Sequence, residues 1–133
     1  MIEINNLTAF SINKKYLEKL ALNILKKESG IAAKKKNLSI ALVAPIRIKE
    51  LNRRYRKKNR PTDVLSFQDT DTFGEILICP AEVERNARKL NSNFKKELSR
   101  VLIHGILHLL GYDHKNNEEE DIMKKKEEYY LNI

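Results

Sequence analysis

The sequence predicts a single α/β (α+β) domain over residues 1–133, with four strands and about five helices around one core. Three observations support this fold class. Short apolar runs of strand length alternate with longer stretches whose apolar residues recur every three or four positions. The chain has 133 residues, 41% of them hydrophobic, which is enough for one core. No repeat, low-complexity linker or change of composition separates two domains.

The first three elements are predicted from apolar pattern. Residues 1–8 form a short strand, and residues 12–28 form a helix because their apolar positions keep helical spacing. Gly30 then ends the helix. The apolar run at residues 38–43 is the second strand.

A helix and two strands complete the N-terminal half. Pro45 suits the first turn of a helix, which extends to about Arg56. The apolar runs at residues 64–67 and 75–78 are strands, and the segment between them is a polar loop.

The C-terminal half is helical, at residues 80–90, 94–110 and 117–131. Asn116 begins the last helix, with Glu119 three residues later, a pair that resembles a capping box. The middle helix has a clear core face, so side chains beside that face are held rigidly. Its residues are Leu98, Val101, Leu102, Ile106 and Leu109.

All three histidines of the chain lie within residues 104–114. On a helix, His104 and His108 are one turn apart and face the same side. Gly111 can end the helix in a left-handed conformation, which allows His114 to approach as a third ligand. Three neutral imidazoles suit zinc or a neighbouring transition metal and leave a fourth position open for water. The pattern therefore predicts a catalytic metal site.

The position after the first histidine argues against a conventional metalloprotease. The H-E-x-x-H motif places a glutamate there to activate water, whereas this chain has Gly105. A glycine beside the ligands instead allows another element of the fold, or a substrate backbone, to come close.

Charge indicates a polyanionic partner. Lys and Arg number 26 against 18 Asp and Glu, which gives a net charge of +8. Residues 53–60, the basic segment, hold six of these cations. They are Arg53, Arg54, Arg56, Lys57, Lys58 and Arg60. Such runs are often only solvated surface, but beside a metal site they favour phosphodiester hydrolysis, in which cations hold the phosphates.

The remaining composition predicts a cytoplasmic protein. The single cysteine, Cys79, follows an apolar run and is expected to be a buried structural thiol. The N-terminus has no leader pattern, and no apolar stretch approaches the roughly 18 residues of a membrane span. We therefore expect no membrane association.

Four segments resemble blocks of one protein family, in the family's order. Residues 104–114 resemble the H-G-x-L-H-L-x-G-Y-D-H signature of the YbeY family of bacterial endoribonucleases. Residues 52–56 resemble its N-x-x-Y-R block, residues 61–67 its P-T-D-V-L-S-F block and residues 74–79 its G-D-I-x-I-C strand. With family-like spacing, these blocks cover nearly the whole chain. The chain departs from the family at Asn59 and Glu75, which replace aspartates, and at Gln68, which replaces a proline.

The resemblance implies an α/β sandwich with a mixed four-stranded sheet and a three-histidine metal site at a cleft. It also implies a single-strand-specific endoribonuclease that matures the 3′ end of small-subunit (16S) rRNA and acts in ribosome quality control. The implied partners are RNA, namely the 16S rRNA precursor, and the small ribosomal subunit.

Roles follow partly from chemistry and partly from the resemblance. A zinc ion on His104, His108 and His114 would lower the pKa of bound water to about 7, and the hydroxide would attack phosphorus. Arg56 could donate hydrogen bonds to the phosphoryl oxygens. Only the N-x-x-Y-R match selects this arginine from its neighbours. Attack by the ribose 2′-hydroxyl remains an alternative route.

Three further residues are candidates near the site. Asp113 is expected to orient a ligand histidine, with action on the water as the alternative. Ser66 and Thr62 either serve the cleft or cap turns, and the sequence does not separate these roles.

Two other classes of function stay open. One is a metal-dependent hydrolase of peptide or amide bonds, which the missing glutamate and the basic charge disfavour. The other is a non-enzymatic RNA-binding ribosome assembly factor with a structural zinc. Structural zinc sites normally have four protein ligands, so a site that includes Cys79 would favour this class.

Overall fold

The computed structural model describes residues 1–69 and 73–133, and within them the predicted order of elements is confirmed. The strands are β1 (Ile2–Asn6), β2 (Leu38–Leu42), β3 (Val64–Gln68) and β4 (Gly74–Ile78), and the helices are α1 (Lys14–Ser29), α2 (Pro45–Arg56), α3 (Pro80–Lys89), α4 (Phe94–Leu109) and α5 (Asn117–Leu131). The predicted polar loop between β3 and β4 includes residues 70–72, which lie outside the described residues.

Side-chain capping explains where two predicted boundaries were wrong. β1 ends at Asn6, two residues early, because the Asn6 side chain accepts a hydrogen bond from the backbone N–H of Thr8 and turns the chain. α1 begins at Lys14 because the side chain of Asn13 caps it. A short 3₁₀ helix at Gly30–Lys35, which the sequence pattern did not predict, follows α1.

The strands form a mixed sheet in the order β1-β2-β4-β3. β1, β2 and β4 are parallel, with Ile4 beside Ile40 and Ile40 beside Ile76. β3 is antiparallel to β4 at one edge, and its Ser66 pairs with Ile76. The described residues therefore confirm the mixed four-stranded sheet with five α-helices.

Helix α4 lies at the centre of the larger core. It packs against α1, α3 and α5 and against strands β3 and β4. Ten of its residues are buried, among them Leu102, Ile103 and Ile106. Because both flanks of α4 are packed, the side chains that it directs away from the core are held on a rigid element.

A smaller core lies on the opposite face of the sheet. Successive strand residues point to opposite faces, so Leu65 and Leu77 face away from α4 and pack against α2 through Ile48 and Leu51. This packing brings the end of α2, with the basic segment that follows, to the edge strand β3.

In the part of the chain that the structure describes, no helix is long and apolar enough to cross a membrane.

Candidate metal centre

Helix α4 presents two histidines from consecutive turns. The ring centroids of His104 and His108 lie 4.6 Å apart, and both residues are partly buried. The neighbouring helix positions, Ile103 and Leu107, are fully buried, so the register of the helix in the core fixes the side on which the histidines lie.

Gly111 returns the chain toward these two rings. It has a φ of 104°, a left-handed value that favours glycine. Its N–H donates to the carbonyl of His108 at 3.0 Å, and the N–H of Tyr112 donates to the carbonyl of Leu107 at 3.0 Å. These two bonds are the pair that defines a Schellman motif, so the expected glycine-terminated helix is present.

The turn brings His114 to the other two histidines. Its ring centroid lies 5.9 Å from that of His104 and 5.2 Å from that of His108. One donor atom from each of the three residues lies within 4.8 Å of the others. The cluster predicted from spacing is therefore assembled in the fold.

The segment that carries His114 is tied to helices α1 and α5. Glu28, at the end of α1, accepts hydrogen bonds from the hydroxyl of Tyr112 at 2.7 Å and from Lys126 at 3.0 Å. It also accepts one from the hydroxyl of Tyr130 on α5. Burial alone would raise the pKa of Glu28, but these three hydrogen bonds outweigh it and lower the pKa below 4.5. The carboxylate is thus kept ionised as a cross-link between α1, α5 and the residue after Gly111.

Glu127 on α5 orients the first histidine, and sequence reasoning missed it. Its Oε1 lies 2.6 Å from Nδ1 of His104, and its side chain is only 12% exposed. A carboxylate acceptor at Nδ1 keeps the proton there and leaves Nε2 of the neutral ring as a lone-pair donor. This is the arrangement that histidine ligands of zinc use, so the donor set fits a transition metal.

His108 is electrostatically suited to the same role. Burial lowers its pKa below 6.5, and the adjacent His104 and His114 and the positive charge of Arg56 lower it further. A neutral imidazole at physiological pH is the form that binds metal.

Gly105 allows strands β3 and β4 to approach α4 beside the histidines, as its position predicted. A Cβ at this position would lie 3.1 Å from Oγ of Ser66 and 3.2 Å from the side chain of Ile76. Ser66 also donates a hydrogen bond of 3.3 Å to the carbonyl of Gly105. Ser66 therefore contacts the backbone of α4 as well as lining the cleft.

The histidines lie on a cleft of about 890 Å³ between α4, β3 and the end of α2. Among the expected site residues, Arg56, Ser66, Thr62 and Asp113 line this cleft together with the histidines. The cleft is also lined by residues that the sequence did not single out for function: Tyr55, Glu97, Arg100 and Glu127.

The basic segment lies at the mouth of this cleft, and Arg56 is the cation of the segment that lines it. α2 ends at Arg56 because Lys57 adopts a left-handed conformation with a φ of 57°. The buried side chain of Asn52 donates to the carbonyl of Arg60 at 2.8 Å, which holds the end of the segment. The other five cations are exposed and lie outside the residues that line the cleft: Arg53, Arg54, Lys57, Lys58 and Arg60.

The Asp113 carboxylate lies closer to the backbone N–H of His114 than to the imidazole ring of that residue. Its Oδ1 accepts a hydrogen bond of 2.8 Å from the N–H of His114, which lowers the pKa of Asp113. The same oxygen lies 3.8 Å from Nδ1 of His114, beyond hydrogen-bond distance. In this arrangement Asp113 shapes the chain around His114.

Cys79 is buried, as expected, in the core on the opposite face of the sheet from α4. It lies after β4, at the residue that precedes α3, and burial raises the pKa of its thiol. Within the described residues, the metal-ligand cluster that includes the histidines does not include Cys79. This placement counts against a four-ligand structural zinc site that uses the cysteine.

The amino-acid sequence is similar to those of bacterial endoribonucleases. The family model described as Endoribonuclease YbeY matches residues 3–133. Endoribonuclease YbeY of Thermotoga maritima is 51% identical over 94 residues, which cover 69% of this chain and 60% of the relative. That of Aquifex aeolicus is 41% identical over 93 residues, which cover 65% of this chain and 62% of the relative. The chain thus spans less than two thirds of the length of these two relatives.

A solved structure shares the fold. The solution structure of TM1509 from Thermotoga maritima superposes with a TM-score of 0.73 at 42% sequence identity. The match covers 98% of this chain and 87% of that protein. The family match over nearly the whole chain, together with this structural likeness, shows that the chain belongs to the YbeY family.

Proposed function

We propose that this protein is a zinc-dependent endoribonuclease that hydrolyses phosphodiester bonds in single-stranded RNA. The observation that carries the proposal is the cluster of three histidine donors, within 4.8 Å of one another, in a cleft that Arg56 also lines. The activity in the names of the relatives supports the same reaction on RNA.

The residues of the cleft have separate roles in this proposal. His104, His108 and His114 would hold the zinc, with Glu127 fixing the tautomer of the first. Bound zinc would supply Lewis acidity and lower the pKa of a coordinated water. Arg56 would donate hydrogen bonds to the phosphoryl oxygens as negative charge develops on them.

The positive charge outside the cleft supports the binding of RNA. The net charge of +8 and the exposed basic segment beside Arg56 favour a polyanion, whose phosphates the segment would hold. The family resemblance extends the proposal to a natural substrate, the 3′ end of the 16S rRNA precursor on the small ribosomal subunit, and to action in the cytoplasm.

Cleavage of an end-labelled single-stranded RNA tests the proposal. Purified wild-type protein is compared with His108→Ala and with a chelator-treated sample, each prepared in parallel so that contaminating nucleases are detected. We expect cleavage to be lost in both and to return only to the chelated wild type when zinc is added.

Failure of zinc-loaded wild type to cut RNA would contradict an intrinsic ribonuclease activity and favour the assembly-factor class. Turnover of peptide or amide substrates with little sensitivity to salt would favour the hydrolase class, because an RNA enzyme loses affinity steeply as salt rises.

A further inference from the structure

The cleft continues along α4 beyond the metal ligands. Glu97, Arg100, His104 and His108 all line it, at spacings of three or four residues that place them on one face of the helix. At 1.5 Å per residue, Arg100 lies about 6 Å from His104 along the helix axis. A cation therefore lies one helical turn from His104.

Arg100 is held by a buried carboxylate. Its Nε lies 3.3 Å from Oε1 of Glu97, whose side chain is 5% exposed, whereas the Arg100 side chain is 38% exposed. A guanidinium carries five N–H donors, so one contact to a carboxylate does not exhaust them. The buried carboxylate of Glu97 thus fixes the partly exposed guanidinium of Arg100, whose remaining N–H groups can donate to a phosphate.

A second concavity, of about 750 Å³, shares Glu97 and Arg100 with the cleft. It lies over the turn between α3 and α4, and polar side chains line most of it. Its other lining residues are Leu90, Asn91, Ser92, Asn93 and Lys96. Lys96 is exposed and adds a cation one further turn along α4, about 12 Å from His104 on the helix axis.

Ser92 and Asn91 lie in the turn that lines this concavity. Oγ of Ser92 is buried and has no hydrogen-bond partner in the part of the chain that the structure describes. The preceding residue, Asn91, has a φ of 50°, so the turn departs sharply from α3 and shapes the concavity.

We propose that Arg100, held by Glu97, binds an RNA phosphate adjacent to the scissile one, and that the concavity at residues 90–96 receives the nucleotides beyond it. This inference rests on the proposed function and gives the single strand a path along α4. Arg56 would contact the strand from the end of α2, while Arg100 and Lys96 would contact it at successive turns of α4.

The salt dependence of RNA binding measures these contacts. Anisotropy of a fluorescein-labelled single-stranded RNA is followed with chelated protein, in which cleavage is suppressed, over a series of salt concentrations. Each lost phosphate contact reduces the slope of log K against log salt by about 0.7 for a single strand. We expect Arg100→Gln and Lys96→Gln each to show this reduction with several-fold weaker binding.

A matched control removes an arginine in a similar pair. Arg85 on α3 lies 3.9 Å from Glu82 at the same three-residue spacing, and it lines neither concavity. Arg85→Gln changes net charge equally and should keep the wild-type slope. Arg100→Lys should restore most of the slope, because it keeps the charge. Lys96 is exposed, so its variant tests the path even if Arg100→Gln unfolds.

Two results would overturn the proposal, and they are distinguishable. If Arg100→Gln and Lys96→Gln both keep the slope and affinity of Arg85→Gln while wild type binds and cuts RNA, this path is wrong and the proposed function stands. If wild type neither binds nor cuts RNA, both fail. Equal zinc content in all variants before the chelator is added would show that the change lies in RNA binding.

Discussion

Removal of the Glu127 carboxylate should weaken metal binding without removing a ligand. The carboxylate lies 2.6 Å from Nδ1 of His104 and is largely shielded from water, so it fixes both the tautomer and the ring orientation. Loss of such a partner typically lowers metal affinity about 10- to 100-fold, which corresponds to about 1.4–2.7 kcal/mol. Glu127→Gln keeps a neutral acceptor, so its metal affinity should be lowered by about 10-fold. Glu127→Ala removes the acceptor, so its metal affinity should be lowered by about 100-fold.

Competition with a chromophoric chelator gives the zinc affinity of each variant. Glu128→Gln is the matched control, because Glu128 is the exposed neighbour on the same helix and should behave as wild type. Circular dichroism of the chelated proteins checks that α5 remains folded. Equal zinc affinity for Glu127→Ala and Glu128→Gln would refute the role assigned to the hydrogen bond.

Three other substitutions probe separate features. Arg56→Glu should keep zinc but lower RNA cleavage by at least about 100-fold, the cost of losing one donor to a developing charge; cleavage at the wild-type rate would remove Arg56 from the site. Gly74→Ala places a Cβ 2.7 Å from the side chain of Leu109 and 2.9 Å from a backbone oxygen, so it should destabilise the fold by about 1–3 kcal/mol in urea, and an unchanged midpoint would contradict this packing. Glu28→Gln should destabilise chelated protein at neutral pH. As pH falls below 4.5, the unfolded wild type binds the Glu28 proton first, so the advantage of wild type over Glu28→Gln should shrink; a difference in urea midpoint that does not depend on pH would be inconsistent with the lowered pKa.

The histidine cluster could be predicted because its geometry is local. His104 and His108 are brought together by the period of one helix, and Gly111 supplies a turn whose conformation few other residues adopt. The fold class was predictable for a similar reason, since the elements keep clear periods of two or 3.6 residues.

Partners that come from distant parts of the chain could not be predicted in this way. Glu127 is 23 residues from His104 and lies in a helix rich in exposed charge. One signal was available: Met123, Glu127 and Tyr130 share the buried face of α5, so a glutamate occupies a core position and needs a partner. Nothing in the local pattern distinguished Arg56 from its neighbours, and only family resemblance selected it.

The order of the site residues along the chain has a consequence for assembly. All three histidines lie within eleven residues, so bringing them together closes only a short loop and costs little chain entropy. Glu127, by contrast, is synthesised later and reaches His104 from α5, which packs into the larger core through Met123 and Tyr130. A nascent chain that ends before α5 therefore already has every metal donor atom but not the carboxylate that orients the first. High-affinity metal capture should accordingly mark the completion of folding and not its beginning.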